Sequence, residues 1–300
     1  MSYFFSVLTA ILIAVMVVVN GGLTIVYGIY YATVIIHIIG LILVSVIAVL
    51  KKEKVLLVHN LPWMIFLGGA IGVATTLFNN AAFGKISVSA IVALSLLGQT
   101  VTALVIDQFG LFHMPVRKFN KGKLGGVLLS AFGVVYLLYG LVFLPFPVLL
   151  SLLTGVSIVV SRSINARLAE KTNVIVSTWY NYIIGLAVAG IVLLVADRTG
   201  QSSLPVKISP DLWIYGGGII GVFVVILSNI TTAKIPAFQM TLILFTGQMF
   251  TGVLLDALLS HGFSQGNLIG GFFVTLGLCV NLWLDKKGIV NSKWLLRKNL

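Results

Sequence analysis

The chain has 300 residues, of which 59% are hydrophobic and only 9% are charged, and its formal net charge is +12. Soluble domains carry roughly 25% charged residues, so this composition excludes an ordinary soluble enzyme or binding domain. A single cysteine, Cys279, excludes an internal disulfide.

Apolar runs long enough to cross a ~30 Å hydrocarbon layer as helices recur along the chain. They predict an all-α polytopic membrane protein with ten transmembrane helices. The breaks between helices fall at Lys51–Lys54, at Pro145–Pro147 and at Gly200–Pro205. In chain order, the predicted helices 1 to 10 cover residues 3–20, 30–50, 61–80, 86–106, 122–143, 146–163, 174–196, 211–230, 237–256 and 266–285.

Predicted helices 3 and 4 are repeated in predicted helices 8 and 9, about 149 residues later. The matching small and polar residues are Gly68 and Gly217, Gly69 and Gly218, Gly72 and Gly221, Asn80 and Asn229, Lys85 and Lys234, Gly98 and Gly247, Gln99 and Gln248, Thr102 and Thr251, and Asp107 and Asp256. The other helices match with small gaps, as Asn20 does with Asn165, Thr33 with Thr178, and Gly40 with Gly185. We expect a first five-helix repeat at 1–144, a second at 145–288, and a basic cytoplasmic tail at 289–300.

The basic residues predict the orientation, because cytoplasmic loops of membrane proteins are enriched in Lys and Arg. With the N-terminus in the cytoplasm, the inner set is Lys51, Lys52, Lys54, Arg117, Lys118, Lys121, Lys123, Arg162, Arg167, Lys171, Lys234, Lys286, Lys287, Lys293, Arg297 and Lys298. The outer set is only Lys85, Arg198 and Lys207. Both termini are therefore predicted to be cytoplasmic, in a multi-pass protein of the cell membrane. Topology and anionic lipid headgroups explain the basic excess, and a nucleic-acid partner is not expected.

Five helices per repeat is an odd number, so the second repeat must enter the membrane from the opposite side. Lys85 outside and Lys234 inside agree with that inversion. Inverted repeats are typical of secondary transporters, whose substrate site lies near the midplane between the repeats and whose halves rock to alternate access.

The glycine and glutamine motifs resemble those of the YdcZ-type branch of the drug/metabolite transporter superfamily. The motif reads Gly68-Gly69, Gly72, Gly98-Gln99, Thr102 and Asp107, and it recurs as Gly217-Gly218, Gly221, Gly247-Gln248, Thr251 and Asp256. The resemblance covers nearly the whole chain. It implies the fused, ten-helix, inverted-repeat form, with a central cavity lined by helices 1–4 and 6–9 and with helices 5 and 10 at the periphery.

The chain departs from the small multidrug-resistance members of that superfamily, which carry a glutamate in the first helix. Here Glu53 and Glu170 are the only glutamates, and both are predicted to lie in loops. Classical antiport of protons and cationic drugs is therefore not favoured.

Uncharged polar residues inside the predicted helices are the candidate substrate contacts. Gln99 and Gln248 lie about 12 Å from the helix ends marked by Asp107 and Asp256, where each amide could face a substrate or hydrogen-bond a neighbouring helix. Thr33 and His37 share one face of helix 2. His37 could couple proton binding to conformation, or it could simply donate one hydrogen bond to a carbonyl.

The repeat-related face of helix 7 carries Thr178, Tyr182 and the neighbouring Trp179. Trp179 is a candidate for an aromatic wall, whereas Tyr27, Tyr30 and Tyr31 are better explained by the interfacial belt where Tyr is enriched.

A second group of residues is predicted to have structural or gating roles. Its members are Asn20, Asn80, Asp107, Asn165, Asn229 and Asp256. The asparagines are expected to cap helix ends. The two aspartates are expected on opposite membrane faces, too far apart for an aspartyl-protease dyad. They should fix loops or helix ends, or close gates.

No nucleotide, metal or hydrolase motif is recognisable, so we expect no cofactor and no metal site. The leading hypothesis is a secondary transporter of a small organic solute that is neutral, zwitterionic or a delocalised cation, because no buried carboxylate or arginine is expected. The alternative is a proton-coupled exporter that uses His37. A non-transporting scaffold and an intramembrane enzyme are less favoured. Glycine ridges at Gly126, Gly133 and Gly140 in helix 5 and at Gly270 and Gly277 in helix 10 fit either packing within one chain or a homodimer.

Overall fold

The structure, a computed structural model, describes residues 2–55, 61–86, 88–114, 116, 124–138, 144–202, 208–232, 234–258 and parts of 269–284. Within these residues it is helical, with one isolated bridge between Phe83 and Ile86 and no strand. The α-helices are α1 (Ser2–Leu50), α2 (Gly68–Ala82), α3 (Val88–Phe109), α4 (Leu124–Leu138), α5 (Pro145–Lys171), α6 (Val174–Arg198), α7 (Gly216–Thr232) and α8 (Ala237–Leu258).

These elements match predicted helices 1 to 9, with helices 1 and 2 both contained in α1. Short 3-10 turns at Trp63–Phe66 and Leu212–Tyr215 lead into α2 and α7. Predicted helix 10 is described only in part, and residues 269–273 are helical. The tail at 289–300 and several basic residues of the orientation prediction, among them Arg117, Lys207 and Lys286, lie outside the described residues.

Helix α1 consists of two arms, 2–27 and 29–50, that meet at Gly28. Gly28 has φ 73° and ψ 168°, a left-handed backbone conformation that glycine adopts without strain. A Cβ at Gly217 would meet Asn20 of the first arm, and one at Gly218 would meet Ile36 of the second. A straight helix would hold Asn20 and Ile36 about 24 Å apart. The chain therefore doubles back at Gly28, and α1 supplies the length of two crossings.

The described helices have the length and the composition of membrane spans. Seven segments between Ser2 and Leu255 are long and apolar enough to cross a bilayer, and α4 is a shorter apolar helix. Large apolar side chains such as Ile42, Val49 and Leu194 are more than 60% exposed, as lipid-facing positions require. The protein is thus a multi-pass helical membrane protein.

Two predicted helix ends are wrong. Asn20 lies inside the first arm of α1, and Asn165 lies inside α5, which continues to Lys171. After Asn20 the helix runs on through Gly21 and Gly22, because these glycines are sites of close packing, against Phe83 and Trp213 respectively. Small residues often have this role in membrane helices, where lipid does not compete for the backbone.

The two halves of the chain contact each other through repeat-related glycines. Gly68 of α2 faces Asn165, and its counterpart Gly217 of α7 faces Asn20. Gly40 faces the ring of Tyr182, and its counterpart Gly185 faces the ring of His37. Each of these two contacts made by the first half on the second is therefore matched by one in the reverse direction.

The same reciprocity holds where α3 and α8 cross the opposite half. Gly98 of α3 packs on the Leu152 carbonyl of α5, and Gly247 of α8 packs on Ala10 and Val7 in the first arm. Clusters of buried apolar side chains complete these crossings, one of them formed by Ala10, Ile13, Ile235, Met240 and Leu244.

The glycine ridge of α4 is in contact with the start of the last helical region. A Cβ on Gly277 would lie 2.5 Å from the Gly126 carbonyl oxygen, so the ridges face each other within one chain. A homodimer through these helices stays a prediction.

The crossing of α3 and α5 gives a stability test. A Cβ on Gly155 would collide with the Ser95 carbonyl and lie 2.7 Å from the backbone nitrogen of Gln99. Gly155→Ala should therefore lower the free energy of unfolding by about 1–3 kcal/mol, the usual cost of overpacking. Thermal unfolding in detergent measures the change.

Gly190→Ala in α6 is the matched control, because no atom lies within 4 Å of the added Cβ. Alanine also favours a helix interior over glycine, so this variant should be neutral or slightly stabilised. Equal melting temperatures for the two variants would contradict the packing described at Gly155.

Candidate functional site

A cavity of about 140 Å³ lies among α1, α2, α5, α6, α7 and α8. Its lining mixes aliphatic side chains with hydroxyls, amides and two basic side chains. The polar and aromatic lining residues are Asn20, His37, Thr75, Thr76, Asn79, Ser161, Arg162, Asn165, Asn181, Tyr182, Ser228 and Asn229. None of the residues found to line the cavity in the described chain is an aspartate or glutamate.

His37 and Tyr182 meet on the wall between the second arm of α1 and α6. Their ring centroids are 5.9 Å apart, and both side chains are buried. His37 Nδ1 lies 2.8 Å from the Thr33 carbonyl, which can only accept, so Nδ1 carries the proton and donates it. His37 Nε2 is left for another partner. A Cβ on Gly221 would lie 2.5 Å from the Tyr182 hydroxyl, so α7 passes close to this wall.

A hydrogen-bonded amide and hydroxyl network forms another wall. Asn165 Nδ2 donates to Asn181 Oδ1 at 2.8 Å and to Ser161 Oγ at 3.3 Å. Ser177 Oγ donates to the Asn165 carbonyl at 2.7 Å and accepts from Asn229 Nδ2 at 3.3 Å. The network links α5, α6 and α7, so these helices hold the asparagines in fixed orientations.

Several buried polar atoms of this lining have no partner among the described residues. They are Asn20 Oδ1, Asn229 Oδ1, Arg162 Nε and Arg162 Nη1. Buried polar groups are nearly always hydrogen-bonded, and an unsatisfied one costs about 1–3 kcal/mol. The unsatisfied donors and acceptors therefore mark where a polar ligand or water would be stabilised.

The prediction that Arg162 lies at the inner end of helix 6, with the other cytoplasmic basic residues, is wrong. Arg162 is only 5% exposed, lines the cavity, and donates from Nη2 to Thr241 Oγ1 at 3.1 Å. Helix α5 continues for nine residues beyond it, to Lys171, which is about 13 Å along the axis. The expectation that no buried arginine is available is therefore wrong as well.

Asp107 lies at the C-terminal end of α3 and contacts the start of α8. It is 7% exposed, and its carboxylate accepts from the backbone nitrogens of Ala237 at 3.3 Å and Phe238 at 2.9 Å. A carboxylate at a helix N-terminus satisfies free N–H groups and interacts favourably with the helix dipole. This contact joins the two halves of the chain.

Five predicted substrate contacts are not among the residues that line the cavity. Gln99 and Gln248 are buried in helix crossings, and Gln99 Nε2 lies 3.4 Å from Ser95 Oγ. Thr33 and Thr178 each donate to the carbonyl four residues earlier. Trp179 donates to Ser45 Oγ at 3.0 Å, and this bond joins α6 to the second arm of α1.

The structure thus brings together His37, Tyr182, Asn20, Asn165 and Asn229 from the predicted set. Asn80 lines a smaller adjoining pocket of about 30 Å³ with Asn20, Thr75 and Thr76. The side chain of Asp256 lies outside the described residues. No group of three potential metal ligands is found in the described part of the chain.

Sequence reasoning missed Arg162, Asn181, Thr75 and Thr76. The missed signal for Arg162 is that residues 163–171 contain no glycine or proline, so nothing ends the helix there. Thr75 and Thr76 stand one turn after Gly72 on a helix whose glycines allow close approach. No simple sequence pattern separates Asn181 from other asparagines.

The fold defines a multi-pass helical membrane protein with an internal cavity, and the comparison with known families gives the particular family. The profile of the family described as "Putative inner membrane exporter, YdcZ" matches residues 1–136 and 146–280. The chain belongs to this YdcZ family, in a two-part form, as its motifs predicted. The family points to a transporter rather than an enzyme.

Comparison with individual proteins gives information on the fold alone. No curated protein matches the chain. Among the solved structures that are similar, one crystal structure has a TM-score of 0.71 and 18% sequence identity, over 95% of this chain and 98% of that one.

Cysteine labelling tests whether the cavity holds water. In a Cys279→Ala background, Thr76→Cys should react with a hydrophilic thiol reagent at least about tenfold faster than Ile42→Cys, because only a thiol in contact with water forms the reactive thiolate. Thr76 lines the cavity, whereas Ile42 is 61% exposed on the apolar surface of α1. Mass spectrometry of the reconstituted protein gives the rates. Faster labelling at Ile42→Cys would contradict the described cavity.

Proposed function

We propose that the chain is a secondary active transporter of a small organic solute, working by alternating access around the described cavity. The observation that carries this proposal is the composition of the cavity wall. Both halves of the chain contribute polar residues to it, Asn20 and His37 from the first and Arg162, Asn165 and Tyr182 from the second. A shared central site is what two rocking halves need.

The full architecture belongs to the same proposal: ten transmembrane helices, arranged as five-helix repeats at 1–144 and 145–288 that are related by inversion, with cytoplasmic termini. The reciprocal contacts support it. Gly68 with Asn165 corresponds to Gly217 with Asn20, and Gly40 with Tyr182 corresponds to Gly185 with His37. A two-fold axis between the repeats produces such exchanged pairs.

The size of the cavity favours a small substrate. Pockets for drug-sized ligands measure about 300–1,000 Å³, and this cavity measures about 140 Å³. In the described conformation, the cavity therefore fits a metabolite-sized solute. The preference for a solute that is neutral, zwitterionic or a delocalised cation depended in part on the absence of a buried arginine, and Arg162 removes that reason.

Proteoliposomes loaded with a panel of metabolites and quaternary amines test the proposal. Saturable counterflow of a labelled solute is expected, and it should need no ATP because an ion or substrate gradient drives such transporters. Absence of counterflow across the panel would favour the scaffold or intramembrane-enzyme alternatives. A gradient-independent, non-saturating leak would also contradict a carrier.

Gln99→Ala and Gln248→Ala test the sequence-based assignment of the two glutamines in the same assay. If the glutamines contact the substrate in some conformation of the cycle, each variant should raise the concentration for half-maximal counterflow several-fold. Unchanged affinity together with a lower melting temperature would indicate helix packing instead, since both side chains are buried at crossings.

A proton-coupled exporter that uses His37 is the second candidate. The observation that favours it is a buried imidazole on the cavity wall whose Nδ1 is fixed by Thr33, which leaves Nε2 to exchange a proton. His37→Gln keeps a hydrogen-bonding side chain and removes the titration. Transport driven by a pH gradient should be lost while counterflow at equal pH persists. Retention of full pH-driven transport would exclude His37 as the coupling site.

A further inference from the structure

We propose that Arg162 is the recognition site for an oxyanion, so that the solute carries a carboxylate or a phosphate-type group. This inference rests on the proposed transport function, because it names the substrate class of the same cavity. It replaces the expectation of a solute that is neutral, zwitterionic or cationic with one that must present a negative group, either alone or in a zwitterion.

The first argument is the unused hydrogen-bonding capacity of the guanidinium. Arginine carries five N–H donors in a planar fork. Arg162 donates from Nη2 to Thr241, while Nε and Nη1 are buried without a partner among the described residues. Nη2 shares one edge of the fork with Nε and the other edge with Nη1. Thr241 takes only one of the two N–H groups of Nη2, so Nη2 and one of its two neighbours still form an edge that can bind two oxygens of a carboxylate or phosphate in parallel.

The second argument is the buried charge. Moving a charge out of water is costly unless a counter-charge compensates it. Asp107 lies near enough to interact electrostatically with Arg162. However, the carboxylate of Asp107 accepts from the backbone nitrogens at the start of α8, and no ion pair between the two side chains is found in the described chain. The guanidinium is therefore near a carboxylate without being in direct contact with it, and Nε and Nη1 remain open to a ligand.

The third argument is the position of that charge. Arg162 lines the cavity together with Asn20, Asn165 and His37, and no carboxylate side chain is found among the lining residues described. An anionic solute in the cavity would meet a positive charge and several amide groups. Amide oxygens of Asn20 and Asn229, which have no described partner, could accept from hydroxyl or ammonium groups on the same solute.

Paired ligands that differ only in charge test the proposal. Propionate and propionamide form one pair, lactate and lactamide another, and methylphosphonate represents the phosphate-type group. The full-length protein in detergent is titrated with each, and the midpoint of thermal unfolding is recorded. Ligands that bind the native state raise the midpoint in a saturable manner.

The expected result is a saturable rise with at least one oxyanion and little or none with its amide. Which oxyanion is effective distinguishes a carboxylate from a phosphate-type solute. Arg162→Gln should lose at least about tenfold in affinity, as removal of a charged hydrogen-bond partner predicts. Arg162→Lys should retain a weakened effect, since it keeps the charge without the fork.

Arg167→Gln is the matched control on the same helix. Arg167 is partly exposed and paired with Glu170 at 2.6 Å, outside the cavity, so this variant should respond as the wild type does. Equal responses to acids and amides, an unchanged response in Arg162→Gln, or no response of the wild type to any of the oxyanions would each overturn the proposal.

The ligand-free midpoint provides an independent readout. If Arg162 is kept for ligand binding, Arg162→Gln should unfold at the same temperature as the wild type or higher, because the cost of burying the guanidinium charge is removed. A clearly lower midpoint would show that Arg162 is a structural partner instead, and it would overturn the proposal.

Counterflow separates this inference from the transport proposal. Counterflow of neutral solutes without any oxyanion effect would overturn the anion site and leave the transporter intact. Oxyanion binding that needs Arg162, without counterflow of the bound solute, would instead overturn transport and leave the site.

Discussion

The close approach of helices at repeat-related glycines is the constraint on which the rest of the structure depends. Without a Cβ at Gly68 and Gly217, the α2 and α7 helices can lie directly against Asn165 and Asn20. These asparagines are thereby held at the cavity wall rather than at helix ends. In lipid, where hydrophobic contact between helices gives little advantage, such packing and interhelical hydrogen bonding are the main sources of association. The same contacts that hold the helices together therefore shape the site.

Much of the fold was predictable because lipid imposes a simple rule on sequence. Every backbone polar group must be satisfied within the membrane, so long apolar runs become helices, and nine predicted helices have counterparts in the described chain. The family was predictable because the motif around Gly98-Gln99 and Gly247-Gln248 combines small and polar residues, which rarely match by chance. Helix ends were less predictable: helix 1 was predicted to end at residue 20, whereas Gly21 and Gly22 lie inside α1 and pack against Phe83 and Trp213.

The site was predicted only in part, and the reason is physical. His37 and Tyr182 were found because they are unusual within apolar helices. Gln99 and Gln248 are also polar residues within apolar helices, yet they lie at helix crossings. The sequence alone does not show which face of a buried helix meets a cavity. Arg162 was missed because the orientation prediction counts every arginine as a residue at the membrane surface. Only the length of α5 shows that its guanidinium lies inside the protein.

The reversal at Gly28 has a further consequence. One left-handed glycine joins two membrane-crossing arms, so the turn adds no loop between them. Tyr27 next to it contacts Tyr215 and accepts from the backbone nitrogen of Ser209 at 2.9 Å, so the turn is tied to the segment before α7. Proteases cut exposed, extended chain, and this corner offers almost none. The first two crossings consequently form a hairpin whose tip is helical on both sides of Gly28 and is tied to the segment before α7.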